Sequence, residues 1–250
     1  MGEEGQGDLR GVRHLFATEL KDQVDYFISV DGTGFGITHA AVGSNRYRVA
    51  YEGPGGHSYG AFGMPNPLHA MGRAIAAIAD LTVPTDPKTT FSVGTVTGGT
   101  SVNSIPFEGI LEIDMRSEEP GSLMELDHKV RQAFDNALQA EKARWPRSTQ
   151  PLTLKLDTIG IRPAGKQPET APIVTTALSA SRALGLESEL GASSTDSNIP
   201  ISLGIPAITI DGGGRGGAAH ALEEWYEETP DAYKGPQWVA LITATLAGVR

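Results

Sequence analysis

Apolar residues recur along the chain with two periods, and these predict helices and strands in mixed order. Short apolar or alternating runs predict strands over residues 26–30, 46–51, 89–96, 109–115, 152–156 and 205–210. Helical spacing predicts a first helix that follows Asp8, which would cap it, and further helices over 67–81, 123–145, 171–184 and 236–248. The sequence therefore predicts an α/β protein.

The middle of the chain has an element order of its own. From the strand near Arg46 to the one near Leu154 the order is β-α-β-β-α-β, which is typical of the split βαβ, ferredoxin-like unit. We expect this module over residues 43–160, inserted into a single α/β domain formed by 1–42 and 161–250.

Composition narrows the classes of function. The formal net charge is −10, with 30 acidic and 20 basic side chains, which argues against nucleic acid and anionic membranes as partners. The chain has no cysteine, so any metal must be held by His, Asp and Glu. The N-terminus lacks a signal-peptide pattern, and the longest apolar stretch, Trp238–Val249, is too short to span a bilayer. We expect a cytoplasmic protein.

Two motifs suggest chemistry but fit their templates poorly. Gly212–Gly217 matches the dinucleotide pattern G-x-G-x-x-G, yet only helical sequence follows, so a flexible loop is favoured. Gly56–Gly60 matches the nucleophile elbow G-x-S-x-G around Ser58, and Asp196 and His220 follow in the order of α/β-hydrolases. An elbow needs a helix at once, whereas Pro65 and Pro67 delay it. A serine hydrolase that uses Ser58 is therefore a less favoured alternative.

A third set of residues consists of carboxylates and an imidazole. The adjacent pair Glu3 and Glu4 lies on the loop that enters the first helix, Asp31 follows a predicted strand, and His220 lies in a later loop. Oxygen and nitrogen ligands of this kind suit zinc, manganese or cobalt in a hydrolytic site. Two adjacent glutamates can divide the work, one holding the metal and the other acting as general base.

The sequence resembles the M20 family of metallopeptidases, which includes tripeptidase-like, carboxypeptidase-G-like and aminoacylase-like enzymes. Gly2–Gly5 resembles the paired-glutamate motif of that family, Val30–Gly32 its downstream acidic ligand, and Gly53–Ser58 the opening of its dimerisation or lid domain. Further similar segments are Gly98–Pro106, Asp114–Arg116, Ser194–Asn198 and His220–Trp225.

The resemblance implies a role for each matched residue. Glu3 would be the general base, Glu4 and His220 would bind one zinc, and Asp31 would bind the second. His57, delivered from a partner's lid, would stabilise the oxyanion. The resemblance also implies a homodimer formed through the lid, small peptides or N-acyl amino acids as substrates, and substrate contacts from Asn103, Arg116 and, with weaker support, Arg162.

One part of the family pattern is missing from these 250 residues. The family carries a His-x-Asp motif and a bridging Asp upstream of the paired glutamates, and none of the six histidines here precedes an Asp by two residues. We therefore expect a partial zinc-peptidase catalytic domain with an inserted ferredoxin-like (βαββαβ) dimerisation domain, poorly active on its own. The alternative is a non-catalytic dimerisation protein that has lost its metal site.

Overall fold

The computed structural model describes residues 8–18, 22–219 and 221–249. The chain divides into two compact units, and each is described by itself. The flanking unit comprises Met1–Gly43 and Arg162–Arg250, and the inserted unit comprises Ser44–Ile161.

The helices and strands are, in chain order, α1 Arg10–Ala17, β1 Phe27–Val30, β2 Ile37–Ala41, β3 Gly43–Glu52, β4 Gly56–His57, α2 Pro67–Ala79, β5 Thr89–Gly98, β6 Ser104–Ile105, β7 Glu108–Ser117, α3 Pro120–Arg144, β8 Thr153–Arg162, β9 Gly165–Lys166, α4 Pro172–Ala183, β10 Leu190–Ser193, α5 Asn198–Ser202, β11 Ala207–Ile210, β12 Arg215–Gly217, β13 Trp225–Glu227 and α6 Lys234–Leu246.

The inserted unit is a four-stranded sheet in the order β5-β7-β3-β8. Its β-α-β-β-α-β order with this strand arrangement is the ferredoxin-like fold, which confirms the sequence prediction. Apolar positions of β3 and β7 alternate with polar ones, and the buried set packs under both helices. This core contains Tyr47, Val49, Tyr51, Leu111, Ile113, Met115, Leu126, Val130 and Phe134.

The flanking unit is a mixed sheet in the order β1-β11-β2-β10, with β9 also paired to β2. Strand β11 is buried on both faces, and its side chains alternate between two clusters. Ile208 and Ile210 pack with Trp238 and Ile173 of α6 and α4, whereas Ala207 packs on the other side with Ile201 of α5. The sheet therefore carries helices on both faces.

Some predicted details differ from the structure. Asp8 does not cap α1, because Leu9 occupies the cap position in left-handed conformation (φ 62°) and no side chain accepts a hydrogen bond there. The short strands β2, β9 and β10 were not predicted, because strands of two to five residues are too short to show a clear alternation of apolar and polar positions. Strand β2 also carries a buried polar residue, His39.

Among the described residues, no helix is long and apolar enough to cross a membrane.

Candidate metal and substrate site

Asp31 lies directly after β1, at the edge of the sheet where parallel strands β1 and β11 both end. Its backbone N–H donates to the carbonyl oxygen of Ile210 at 3.0 Å, which continues the ladder by one residue. The side chain is exposed. This is the position at which open α/β sheets bind ligands.

The negative charge of Asp31 acts on two further carboxylates, Asp211 and Asp196. Burial raises the pKa of Asp211, and the charge of Asp31 raises it further, whereas the hydrogen bond from Gly36 N–H lowers it. Burial also raises the pKa of Asp196, again with a contribution from Asp31, while Arg162 opposes the shift. Negative potential is therefore concentrated at this edge, and a divalent cation would relieve it.

Arg162 is buried in the flanking unit, with 5% of its side chain exposed. Its Nη1 donates to Ser194 Oγ at 3.0 Å, and its Nε lies 3.8 Å from Asp8 Oδ1. Asp8 follows the segment that contains Glu3 and Glu4. Arg162 thus joins the start of α1 to the Ser194–Asn198 motif and has little surface left for a substrate.

The Ser194–Asn198 motif forms a buried hydrogen-bond network. Thr195 Oγ1 and Ser197 Oγ lie 2.6 and 2.8 Å from Thr209 Oγ1. Asn198 Oδ1 accepts from the backbone N–H of Thr195 at 2.8 Å, and its Nδ2 donates to Val42 O and Pro163 O, both at 2.9 Å. The motif resemblance located this segment, but its role in holding together two distant backbone segments had no sequence signal.

The glycine tract is not a flexible loop throughout, which corrects that expectation. Arg215–Gly217 forms strand β12 and pairs with Trp225–Glu227, so the two strands bracket the segment that contains position 220. Three predicted site residues, Glu3, Glu4 and His220, lie outside the described residues.

The structure brings His57 and Asn103 together in the inserted unit. Strands β4 and β6 form a two-stranded sheet in which His57 is opposite Ser104, and Asn103 O accepts from the N–H of Ser58 at 2.9 Å. The Nδ1 atom of His57 lies 3.3 Å from the N–H groups of both Tyr59 and Gly60. Because these groups only donate, Nδ1 is an acceptor, and in the neutral ring Nε2 carries the hydrogen and faces outward as a donor.

Arg116 lies at the opposite end of the inserted sheet from His57. Gly53 donates to Phe107 O beside the start of β7, next to the β4–β6 sheet, whereas Arg116 is near the end of β7. At 3.3 Å per residue, Glu108 and Arg116 are separated by roughly 26 Å. Arg116 Nε donates to Asp114 Oδ2 at 2.7 Å. Within one chain, Arg116 therefore does not join His57 and Asn103.

Ser58 lies in a turn rather than at a nucleophile elbow. The chain continues through an irregular segment after Ser58, and α2 begins only at Pro67. The strand-to-helix turn that exposes a nucleophilic serine is therefore missing at this position.

Only part of the predicted metal site lies within the described residues. No group of three or more His, Asp or Glu side chains suited to a metal occurs in residues 8–18, 22–219 and 221–249. Asp31 fits a hard divalent cation by its donor chemistry and by the negative potential around it. The remaining ligands implied by the resemblance, Glu4 and His220, lie outside this part of the chain.

The fold defines a class of protein in which a ferredoxin-like unit interrupts an α/β unit. Residues 39–142 match the family model described as the peptidase dimerisation domain of the M20 type. No curated protein sequence matches the chain.

Three solved structures show the likeness in fold. Aminopeptidase PepT from Bacillus cereus has 20% identity and a TM-score of 0.77, over 99% of this chain and 63% of that one. A tripeptidase from Staphylococcus aureus has 19% identity and a TM-score of 0.74, over 96% and 61%. An aminobenzoyl-glutamate utilization protein from Klebsiella pneumoniae has 18% identity and a TM-score of 0.62, over 90% and 54%.

The family-model match confirms the resemblance to the M20 family over residues 39–142, and the three structures show that the chain shares their fold. The chain spans less than two thirds of the length of these structures.

Proposed function

We propose that this chain is part of a metal-dependent amidohydrolase that cleaves small peptides or N-acyl amino acids in the cytoplasm as a homodimer. The observation that carries the proposal is the proximity of His57 and Asn103, adjacent to the paired residues of β4 and β6, in a unit matched to the peptidase dimerisation domain of the M20 type. His57 offers an outward Nε2–H, the type of donor that stabilises the oxyanion of a tetrahedral intermediate.

The metal ligands in this proposal are Glu4 and His220 for one ion and Asp31 for a second ion, with Glu3 as general base. Zinc is the expected ion, and manganese or cobalt are chemically possible with these ligands. A divalent cation held there would act as a Lewis acid toward the amide carbonyl. Glu3 would accept a proton from the attacking water and return it to the leaving amine.

Dimerisation would use the β5 side of the inserted unit. Strand β5 pairs only with β7 among the described strands, so one edge offers unpaired backbone groups. Helix α2 packs over both β5 and β7, since a Cβ at Gly98 of β5 or at Gly109 of β7 would come within 2.8 or 2.9 Å of Leu68. The exposed positions of α2 include Gly72, Ala76 and Ala79, small residues that permit close approach of a second helix.

Strand direction explains why His57 would serve a partner. The pairs Arg46–Asp114 and Arg48–Glu112 show that β3 runs antiparallel to β7. The chain therefore enters the inserted unit at the end of the sheet opposite to His57. It leaves the unit at the same end, because Arg162 at the end of β8 lies beside Gly43 at the start of β3. Antiparallel pairing of two β5 edges would bring His57 and Asn103 of one subunit to the Arg116 end of the other.

The first experiment measures zinc content and zinc affinity of the purified chain by elemental analysis and calorimetry. The variants are Glu4→Ala and His220→Ala, with the exposed Glu187→Ala as a matched control. Stoichiometric zinc that both site variants lose and the control keeps supports the proposal. Equal zinc binding by all four proteins refutes the assigned ligands.

A second measurement follows hydrolysis of dipeptides, tripeptides and N-acetyl amino acids, with and without a chelator. We expect slow turnover by the 250 residues alone and full activity only in a longer chain that supplies the remaining family ligands. Strong chelator-sensitive turnover by the 250 residues would contradict this part of the proposal.

A non-catalytic dimerisation protein is the second candidate, because the family-model match covers the dimerisation domain alone. A stable dimer without zinc binding, in the 250 residues and in any longer chain, would favour it.

A further inference from the structure

The carboxylate of Asp211 lies inside the loop that follows Asp31. Its Oδ2 accepts from the backbone N–H of Gly36 at 2.7 Å. A Cβ at Gly32 or Gly36 would come within 2.8 or 3.0 Å of this carboxylate, and one at Gly34 within 3.2 Å. The loop can close around Asp211 because every second residue from 32 to 36 is glycine.

Backbone hydrogen bonds join the same loop to the segment that contains Asp211. Gly212 N donates to Gly32 O at 3.2 Å, and Gly213 N donates to Gly34 O at 3.0 Å. Asp211 N likewise donates to Gly36 O at 3.1 Å, and in the other direction Gly34 N donates to Gly213 O at 3.4 Å. The two segments therefore form one hydrogen-bonded body with the side chain of Asp211 at its centre.

The glycine strap, defined as Gly212–Gly217, extends this body into the β12–β13 hairpin. A Cβ at Gly216 would lie 2.9 Å from the side chain of Thr33, so the strap packs against the Asp31 loop. A Cβ at Gly214 or Gly217 would lie 2.6 or 2.7 Å from the rings of Tyr226 and Trp225 of β13. Gly214, Gly216 and Gly217 therefore permit close packing, and the strap connects the Asp31 loop to the hairpin.

We propose that Asp211 is a positioning residue that fixes the Asp31 loop against the β12–β13 hairpin, so that this loop presents Asp31 to the proposed cation in one arrangement. The hairpin brackets position 220, which we assign as a ligand, so this inference rests on the proposed function. Asp211 does not itself bind the cation. It acts through the loop that carries Asp31.

Two effects of Asp211 can be separated by substitution. Asp211→Asn retains an oxygen that can accept from Gly36 but removes the negative charge near Asp31. Asp211→Ala removes both the acceptor and the side chain that the loop encloses. If Asp211→Ala fails to fold, Gly34→Ala is the second variant, because Gly34 has φ 102° and a Cβ there would press on Asp211 Oδ2.

The test uses the 250-residue chain with Zn²⁺ alone as the probe. Calorimetry measures zinc affinity, and hydrogen exchange of the metal-free protein measures protection of residues 31–36 and 212–217. For Asp211→Ala we expect about tenfold weaker zinc binding and about tenfold faster exchange of Gly36. Asp211→Asn should restore exchange to near the wild-type rate, and Glu187→Ala should change neither quantity.

The results that overturn the positioning role of Asp211 differ from those that refute the proposed metal site. Unchanged exchange in Asp211→Ala, or a lowered melting temperature with unchanged zinc affinity, overturns the positioning role. Failure of the wild-type chain to bind zinc refutes the proposed metal site instead. In that case hydrogen exchange alone decides whether Asp211 fixes the loop.

Discussion

The side-chain amide of Asn198 donates a hydrogen bond to the carbonyl oxygen of Pro163 at 2.9 Å. The same nitrogen donates to Val42 O at 2.9 Å. Val42 and Pro163 flank the two points where the chain passes between the flanking and inserted units. The buried side chain of Asn198 therefore links the two connecting segments to each other.

Replacing Asn198 with alanine should lower the free energy of unfolding of the flanking unit by about 3 kcal/mol, because two carbonyl oxygens and the Thr195 N–H lose their partner. Urea denaturation monitored by hydrogen exchange of this unit checks the value. Asn136→Ala, at an exposed position of α3, is the control. A loss below 1 kcal/mol would contradict the role assigned to Asn198.

Glu141 is a buried carboxylate that holds the start of α2 against α3. It accepts from Asn66 N at 3.1 Å and Trp145 Nε1 at 3.2 Å, and Arg73 Nε lies 3.1 Å from Oε2. We expect Glu141→Ala to destabilise the inserted unit by about 3 kcal/mol, since a backbone N–H and a guanidinium lose their acceptor.

Exchange rates of α2 amides in the full chain measure the effect of Glu141→Ala. Glu125→Ala is the control, because its pair with Lys129 is exposed and should have little effect on stability. Equal exchange in both variants would show that the buried contacts of Glu141 do not stabilise α2.

His39 should make the flanking unit less stable in acid. Its Nδ1 donates to Gly191 O at 3.1 Å, and its buried Nε2 has no hydrogen-bond partner among residues 8–18, 22–219 and 221–249. Burial lowers the pKa of His39, against the Gly191 hydrogen bond, with opposing smaller effects of Lys166 and Glu169. The unfolded chain thus binds the proton more readily, and stability falls as pH drops below about 6.5.

Unfolding free energies between pH 8 and pH 5.5 test the role of His39. His39→Gln should flatten the pH dependence, whereas His69→Gln, an exposed histidine of the inserted unit, should not. The raised pKa values of Asp196 and Asp211 act in the opposite direction, because their penalty is relieved as pH falls toward their folded-state pKa values. A wild-type slope of zero that His39→Gln does not change would refute the prediction.

Gly72 offers a test of the proposed dimer. A Cβ at Gly72 would meet no atom of the described part of the chain within 4 Å, so Gly72→Glu should fold normally. In a dimer packed through α2 it would place two carboxylates at the interface. We expect sedimentation to show a monomer at concentrations where the wild type is a dimer.

Gln139→Glu adds the same charge at an exposed position of α3 and should remain dimeric. A dimeric Gly72→Glu variant would exclude the β5 and α2 side as the interface.

The sequence predicted the inserted unit better than the site. Strands such as β3 and β7 are ten residues long with clear alternation, and the intervening helices have a regular apolar stripe, so local pattern sufficed. The contacts of Asp211 and Asn198 could not be predicted, because each joins segments more than 30 residues apart without a periodic signal. The glycine strap was misjudged for a related reason, since glycines required by close packing look like those of a loop.

Gly43 lies so close to Ala164 that a Cβ at Gly43 would come within 2.6 Å of the Ala164 nitrogen. The chain therefore departs for the inserted unit and returns from it at nearly the same place. Cutting out residues 44–161 would leave two ends that a short turn could rejoin, and the excised piece would begin and end on the neighbouring strands β3 and β8. The inserted unit is thus a separable module, which recombination could replace with another domain with little change to the flanking unit.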